Sequence, residues 1–104
     1  MDTYKVMVTE PAENDLRDMA RYISAQLNAP TTSLNMVRTI REAVSKLEEG
    51  AFLYPLVRDE RLAAMGYRVL IIKKYIAFYI VNEKEKTVSI DRIFYGRRDW
   101  QNTL

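Results

Sequence analysis

The stretch GYRVLIIKKYIAFYIV, residues 66–81, followed after a charged turn by TVSIDRIFYGRRDW, residues 87–100, decides the fold of this chain. Tyr67 to Lys73 reads as a strand, Lys73-Lys74-Tyr75 as a turn, and Ile76 to Val81 as a continuous apolar β run that suits a central strand. Asn82 to Lys86 turns the chain again. The next strand, Val88 to Tyr95, carries Asp91 and Arg92 among β-formers, so one of its faces is polar or lines a site. Its continuation, Tyr95-Gly96-Arg97-Arg98-Asp99-Trp100, gathers cations and aromatics at one sheet edge.

Upstream of this sheet the pattern changes from period two to period 3.6. Tyr4 to Val8 is a short strand, and Glu10-Pro11 opens a helix with proline in the first turn, where its missing N–H costs nothing. Ala12, Leu16, Met19, Ala20, Ile23 and Leu27 recur at helical spacing and predict one buried stripe. Asn28-Ala29-Pro30 stops that helix, and Thr31 or Thr32 is expected to cap the next. The second stripe is Leu34, Val37, Ile40, Val44 and Leu47, ending at Gly50. So short a connection makes the two helices an antiparallel hairpin. Residues 51–65 read as a loop around Pro55 with a charged Arg58-Asp59-Glu60-Arg61 stretch. The expectation is one α+β domain over residues 1–104, β-α-α-β-β-β, with an N-terminal helical hairpin on a mainly antiparallel four-stranded sheet.

Composition narrows the chemistry. The 104 residues include no histidine and no cysteine, which removes the usual neutral-pH base, the thiol nucleophile, the soft metal ligands and any disulfide framework. No metal or cofactor is expected. Chemistry on this chain must run on Arg, Lys, Tyr, Asp or Glu. The net charge of +2 is unevenly spread: residues 1–49 hold 6 basic against 8 acidic side chains, and residues 50–104 hold 10 against 6. The basic surface belongs to the C-terminal sheet, which favours phosphates or acidic partners. No apolar run approaches membrane-spanning length and no signal peptide opens the chain, so a cytoplasmic protein with no membrane partner is expected.

The order of elements and motifs resembles the RelE/ParE superfamily, the toxic halves of bacterial type II toxin–antitoxin (plasmid stabilisation) modules. The likeness runs through Thr9-Glu10-Pro11-Ala12, Asp15-Leu16, Tyr22-Ile23, Tyr54-Pro55-Leu56-Val57, Gly66-Tyr67-Arg68, Phe78-Tyr79, Arg92-Ile93 and Gly96-Arg97-Arg98-Asp99-Trp100. It implies one of two activities. RelE-like members cut messenger RNA in the ribosomal A site, whereas ParE-like members share the fold and inhibit DNA gyrase. Both kinds are neutralised by a cognate antitoxin. On this resemblance Arg68 and Arg98 match phosphate-handling arginines of the RelE-like enzymes and are the catalytic candidates. Ile76 stands where those enzymes usually carry an arginine, and no tyrosine follows Trp100. Two of four expected groups are missing, and the Gly-Arg-Arg-Asp ending looks ParE-like. A third possibility is an inactive relative that only binds an antitoxin.

Cleavage by 2′-hydroxyl attack would need charge stabilisation, a proton acceptor and a proton donor. Arg68, Arg92, Arg97 and Arg98 match phosphate oxygens bidentately but are poor bases. Lys73, Lys74 or Asp91 would have to accept the proton and Tyr75 or Tyr95 donate one. Lys73, Lys74, Arg92, Tyr95 and Arg97 are therefore the substrate-contact candidates. Each also has a structural reading. Arg68 and Arg92 could pair with Asp91 or Glu60 to tie the sheet to the loop, Lys73-Lys74 could be a solvated turn, and Met7, Met19, Met36 and Met65 fill gaps in the core.

Overall fold

The computed structural model describes residues 3–96. The elements are β1 (Lys5–Val8), α1 (Glu10–Arg21) continuing into a π-helical turn (Tyr22–Gln26), α2 (Pro30–Ser45), a short α3 (Leu47–Gly50), α4 (Glu60–Ala64), β2 (Arg68–Ile72), β3 (Tyr75–Asn82) and β4 (Thr87–Tyr95). The strands lie in the order β1-β4-β3-β2. β1 is parallel to β4, with Lys5 opposite Thr87, and the other two pairings are antiparallel. The strand ranges and the mainly antiparallel sheet agree with the sequence reading. Among the described residues no helix is long and apolar enough to cross a membrane.

α1 starts where expected. Thr9 is its N-cap, accepting a hydrogen bond from the Ala12 N–H at 3.2 Å, with Pro11 in the first turn. α2 starts differently: Pro30 opens it and Ala29 caps it without a side-chain bond, so neither threonine caps it. Contacts between Glu13 and Arg41 and between Ser33 and Ala20 show that α1 and α2 run antiparallel.

Two outer ends of the predicted stripes are not buried. In the π-helical turn the Leu27 N–H reaches back five residues to the Tyr22 carbonyl, which widens the last turn and carries Leu27 outward, 57% exposed. Leu34 is also exposed. Ser33 and Met36 face inward in its place, the Ser33 hydroxyl satisfied by the Ala20 carbonyl at 2.7 Å. Of the methionines, Met36 is buried and Met19 packs on the core, but Met7 and Met65 are exposed.

The helical hairpin covers one face of the sheet. Ala12, Leu16, Ile23, Met36, Ile40, Val44 and Leu47 pack on Leu70, Ile72, Ala77, Tyr79, Val88, Ile90 and Ile93. Full burial of one such aliphatic side chain stabilises by roughly 1.5–3 kcal/mol, so this layer carries most of the fold. The opposite face holds a second cluster, Val57, Leu62, Tyr67, Phe78 and Phe94. It is closed by α4, a helix within the 51–65 stretch whose composition predicts a loop. Asp59 caps α4 through the Leu62 N–H, and Gly66 at φ +92° ends it with the Gly66 and Tyr67 N–H groups returning to Ala63 and Leu62. That Schellman ending turns the chain straight into β2 and is the physical content of the Gly66-Tyr67-Arg68 motif.

Candidate functional site

The last strand decides where the candidate side chains point. β3 and β4 pair Phe78 with Arg92 but Tyr79 with Ile90, so Asp91 is an extra residue, a bulge that reverses the facing of everything after it. In regular alternation, with Asp91 taking a partner of its own, Arg92 would share the helix face of Ile90. With the bulge Ile93 takes that face, and Arg92 falls opposite Phe78 on the other. The Arg92 guanidinium lies 4.8 Å from the Phe94 ring centroid and makes a fork with Asp15 of α1, Nε and Nη2 donating at 2.8 and 2.9 Å. Asp15 also accepts the Ile93 backbone N–H at 2.9 Å. β1 ends at Val8, opposite Ile90, so beyond that point β4 is paired by β3 alone and its other edge has no strand neighbour among the described residues. Asp15 takes the place of the missing strand.

Arg68 lies on the opposite face. It pairs in register with Tyr79, a helix-side residue, and its guanidinium donates to the Tyr54 carbonyl at 2.6 Å while stacking 5.0 Å from the centroid of Phe52. The expected partners of Arg68 and Arg92, Asp91 or Glu60, are therefore replaced by Tyr54 and Asp15. Asp91 accepts instead from the Tyr67 hydroxyl at 2.7 Å and the Ser89 hydroxyl at 3.1 Å. Burial and this bond to Asp91 push the Tyr67 phenol up to about 12. Arg68 does tie the sheet to a loop, and Arg92 ties it to a helix. Ile76, at the position of the absent arginine, pairs with Phe94 and packs on the second cluster.

Lys73, Lys74 and Tyr95 do come together. The β2–β3 hairpin turns through Lys73 at φ +56°, and the Lys74 carbonyl accepts the Gly96 N–H at 2.7 Å, which draws the end of β4 against the hairpin. Tyr75 and Tyr95 pair across the strands edge to face, 5.3 Å between centroids. Burial, reinforced by Tyr95, raises the Tyr75 pKa, which makes it a weaker proton donor. Beside this corner opens a groove of about 960 Å³, with Asp18, Tyr22 and Leu27 on one side and Tyr75, Arg92 and Tyr95 on the other. Tyr22 and Leu27 were not anticipated as site residues. Helical periodicity assigns Leu27 to the core, and nothing in the local sequence signals the π-helical turn that moves it. Arg97 and Arg98, the second catalytic candidate, lie outside the described residues, as do Asp99 and Trp100.

A helical hairpin on a β1-β4-β3-β2 sheet, with a basic corner at the end of β4, defines a RelE/ParE-type toxin fold. Two solved structures share it: the chromosomal ParDE toxin–antitoxin system from P. aeruginosa, with a TM-score of 0.75, 24% identity, and coverage of 91% of this chain and 98% of that one, and the RelBE2 toxin–antitoxin complex from Mycobacterium tuberculosis, with a TM-score of 0.63, 19% identity, and coverage of 89% and 98%. No curated protein matches significantly. The family described as the ParE toxin of the type II toxin–antitoxin system, parDE, matches residues 6–100, and the chain belongs to that family.

Proposed function

We propose that this toxin arrests growth by inhibiting DNA gyrase, without cutting messenger RNA, and that a cognate antitoxin holds it silent in the cytoplasm. The observation that carries this reading is the divergence of Arg68 and Arg92. A ribonuclease of this fold needs several cations converging on one phosphate. Here the two candidate arginines among the described residues, Arg68 and Arg92, occupy opposite faces of the sheet, one bonded to the Tyr54 carbonyl and the other to Asp15. The apolar Ile76 between Ile71 and Phe94 supports the same reading. Lys73, Lys74 and Tyr95, with Arg97 and Arg98 beyond the described residues, then serve as a contact surface for the target. An antitoxin partner is supported by the ParDE and RelBE2 structures, which are toxin–antitoxin systems.

The test is a gyrase supercoiling assay with the purified protein, run beside primer-extension mapping of message ends in cell-free translation. Loss of supercoiling with intact messages is the expected result. New ends at ribosomal A-site codons that vanish in Arg98→Ala would replace this reading with the ribonuclease.

A further inference from the structure

The outer edge of β2 is half closed. Over Tyr67–Val69 it is paired by the loop at Pro55–Val57: the Val69 N–H donates to the Pro55 carbonyl at 3.1 Å, the Val57 N–H donates to the Tyr67 carbonyl at 3.0 Å, and Leu56 bridges Arg68 in antiparallel fashion. The backbone alternates along a strand, so the residues whose N–H and C=O point outward are Tyr67, Val69 and then Ile71. The loop leaves the edge at Pro55. Among the described residues the Ile71 N–H and C=O have no partner, and its side chain is 66% exposed. The usual defences of an edge are missing over this stretch: Val69, Leu70, Ile71 and Ile72 include no proline and no charge, and no bulge interrupts the pairing of β2 with β3. The nearest charges are the exposed Lys73 and Lys74 at the end of the strand.

We infer that the free β2 edge at Leu70–Ile72 receives a short extended peptide of a partner protein, apolar where it meets Ile71 and acidic where it passes Lys73 and Lys74. The pairing geometry is already realised one step along the same edge by the chain's own loop. An incoming segment extends that ladder by main-chain hydrogen bonds at Ile71, and the two lysines select carboxylates over cations. A second copy of this chain does not fit. In an antiparallel β2–β2 pairing centred on Ile71, each Lys74 falls opposite the other copy's Arg68, cation against cation. The loop that pairs Tyr67–Val69 also occupies the edge that residues 73–75 of the other copy would need. The inference does not depend on which target the toxin inhibits.

The test is amide exchange and chemical-shift mapping on the ¹⁵N-labelled full chain titrated with a capped hexapeptide of alternating valine and glutamate. Alone, the Ile71 amide is expected to exchange rapidly. At nine-tenths saturation its exchange should slow about tenfold, with shifts running along Leu70–Lys74. The same peptide with lysine for glutamate, and one N-methylated at alternate residues, should produce neither change. Ile71→Pro removes the outward N–H without touching the pairing to β3 and should abolish the effect. If that variant does not fold, Lys73→Glu with Lys74→Glu leaves the strand intact and should weaken binding about tenfold. A slow Ile71 amide in the free protein, shifts centred elsewhere, no response at millimolar peptide, or equal binding of the lysine peptide would each overturn the assignment.

Discussion

The two open sides of the sheet are closed in different ways. Where β1 ends, the Thr9 N–H makes one last backbone bond to the Ile90 carbonyl, and beyond it the β4 edge is sealed by side chains: the Thr9 hydroxyl donates to the Asp91 carbonyl, and Asp15 takes the Ile93 N–H together with the Arg92 guanidinium. On the β2 side a backbone loop covers Tyr67–Val69 and stops. Sealing with an acidic side chain consumes the cation beside it. Sealing with a loop spares charge but leaves Ile71 open. Arg92, a substrate-contact candidate with an equally open structural reading in the sequence, is held by Asp15 where a strand ran out.

The largest expected effect breaks the first edge. Asp15→Ala leaves the half-buried Arg92 without a counter-ion and the Ile93 N–H without an acceptor, and should cost about 3 kcal/mol in urea unfolding. Asp15→Asn keeps an acceptor for Ile93 and should cost less. If both variants unfold like the parent, the sealed-edge account fails.

A second test uses alkaline pH, because the bulge that orients Arg92 holds Tyr67 against Asp91. The phenols of Tyr67 and of the buried Tyr79 are both pushed up to about 12, chiefly by burial. An ionisable group whose folded pKa lies above its unfolded value of about 10 stabilises fully below that value and loses the contribution as pH rises through the folded pKa. Stability should therefore fall between about pH 10 and 12, and Tyr67→Phe should remove about 2 kcal/mol of that pH-dependent loss. Denaturation midpoints at pH 8, 10 and 11.5 measure it, and an unchanged slope in the variant would assign the loss to other groups.

The β2 side should be softer. Arg68→Ala gives up one hydrogen bond to Tyr54 and the stacking on Phe52, about 1–2 kcal/mol, and on the proposed function growth arrest persists in the folded variant. Loss of arrest without loss of stability would return Arg68 to a catalytic role. The smallest effect belongs to the helical hairpin. Arg41 lowers the Glu13 pKa by a direct hydrogen bond, so the pair stabilises above the ordinary carboxylate pKa and fades as pH falls through the lowered one. Both groups are well exposed, so after solvent screening Glu13→Gln should cost no more than about 0.5 kcal/mol.

Periodicity and turn chemistry were enough to read four strands, a helical hairpin and the proline in the first turn of α1, because each is a local preference repeated over many residues. The order of motifs carried the family as well. Periodicity could not show that Leu27 swings out on a π-helical turn, and the five residues of α4 are too few to set up a helical repeat, although its caps, Asp59 and Gly66, are local signals. Nor could periodicity show the facing of Arg92. A bulge at Asp91 breaks the alternation that the sequence pattern implies for β4, and the Tyr67 bond that accompanies it joins positions 24 residues apart. The sequence by itself determined which charged groups this toxin possesses. Only the tertiary structure decided which of the described ones remain available for a partner, because a cation's function depends on whether folding has already given it a counter-charge.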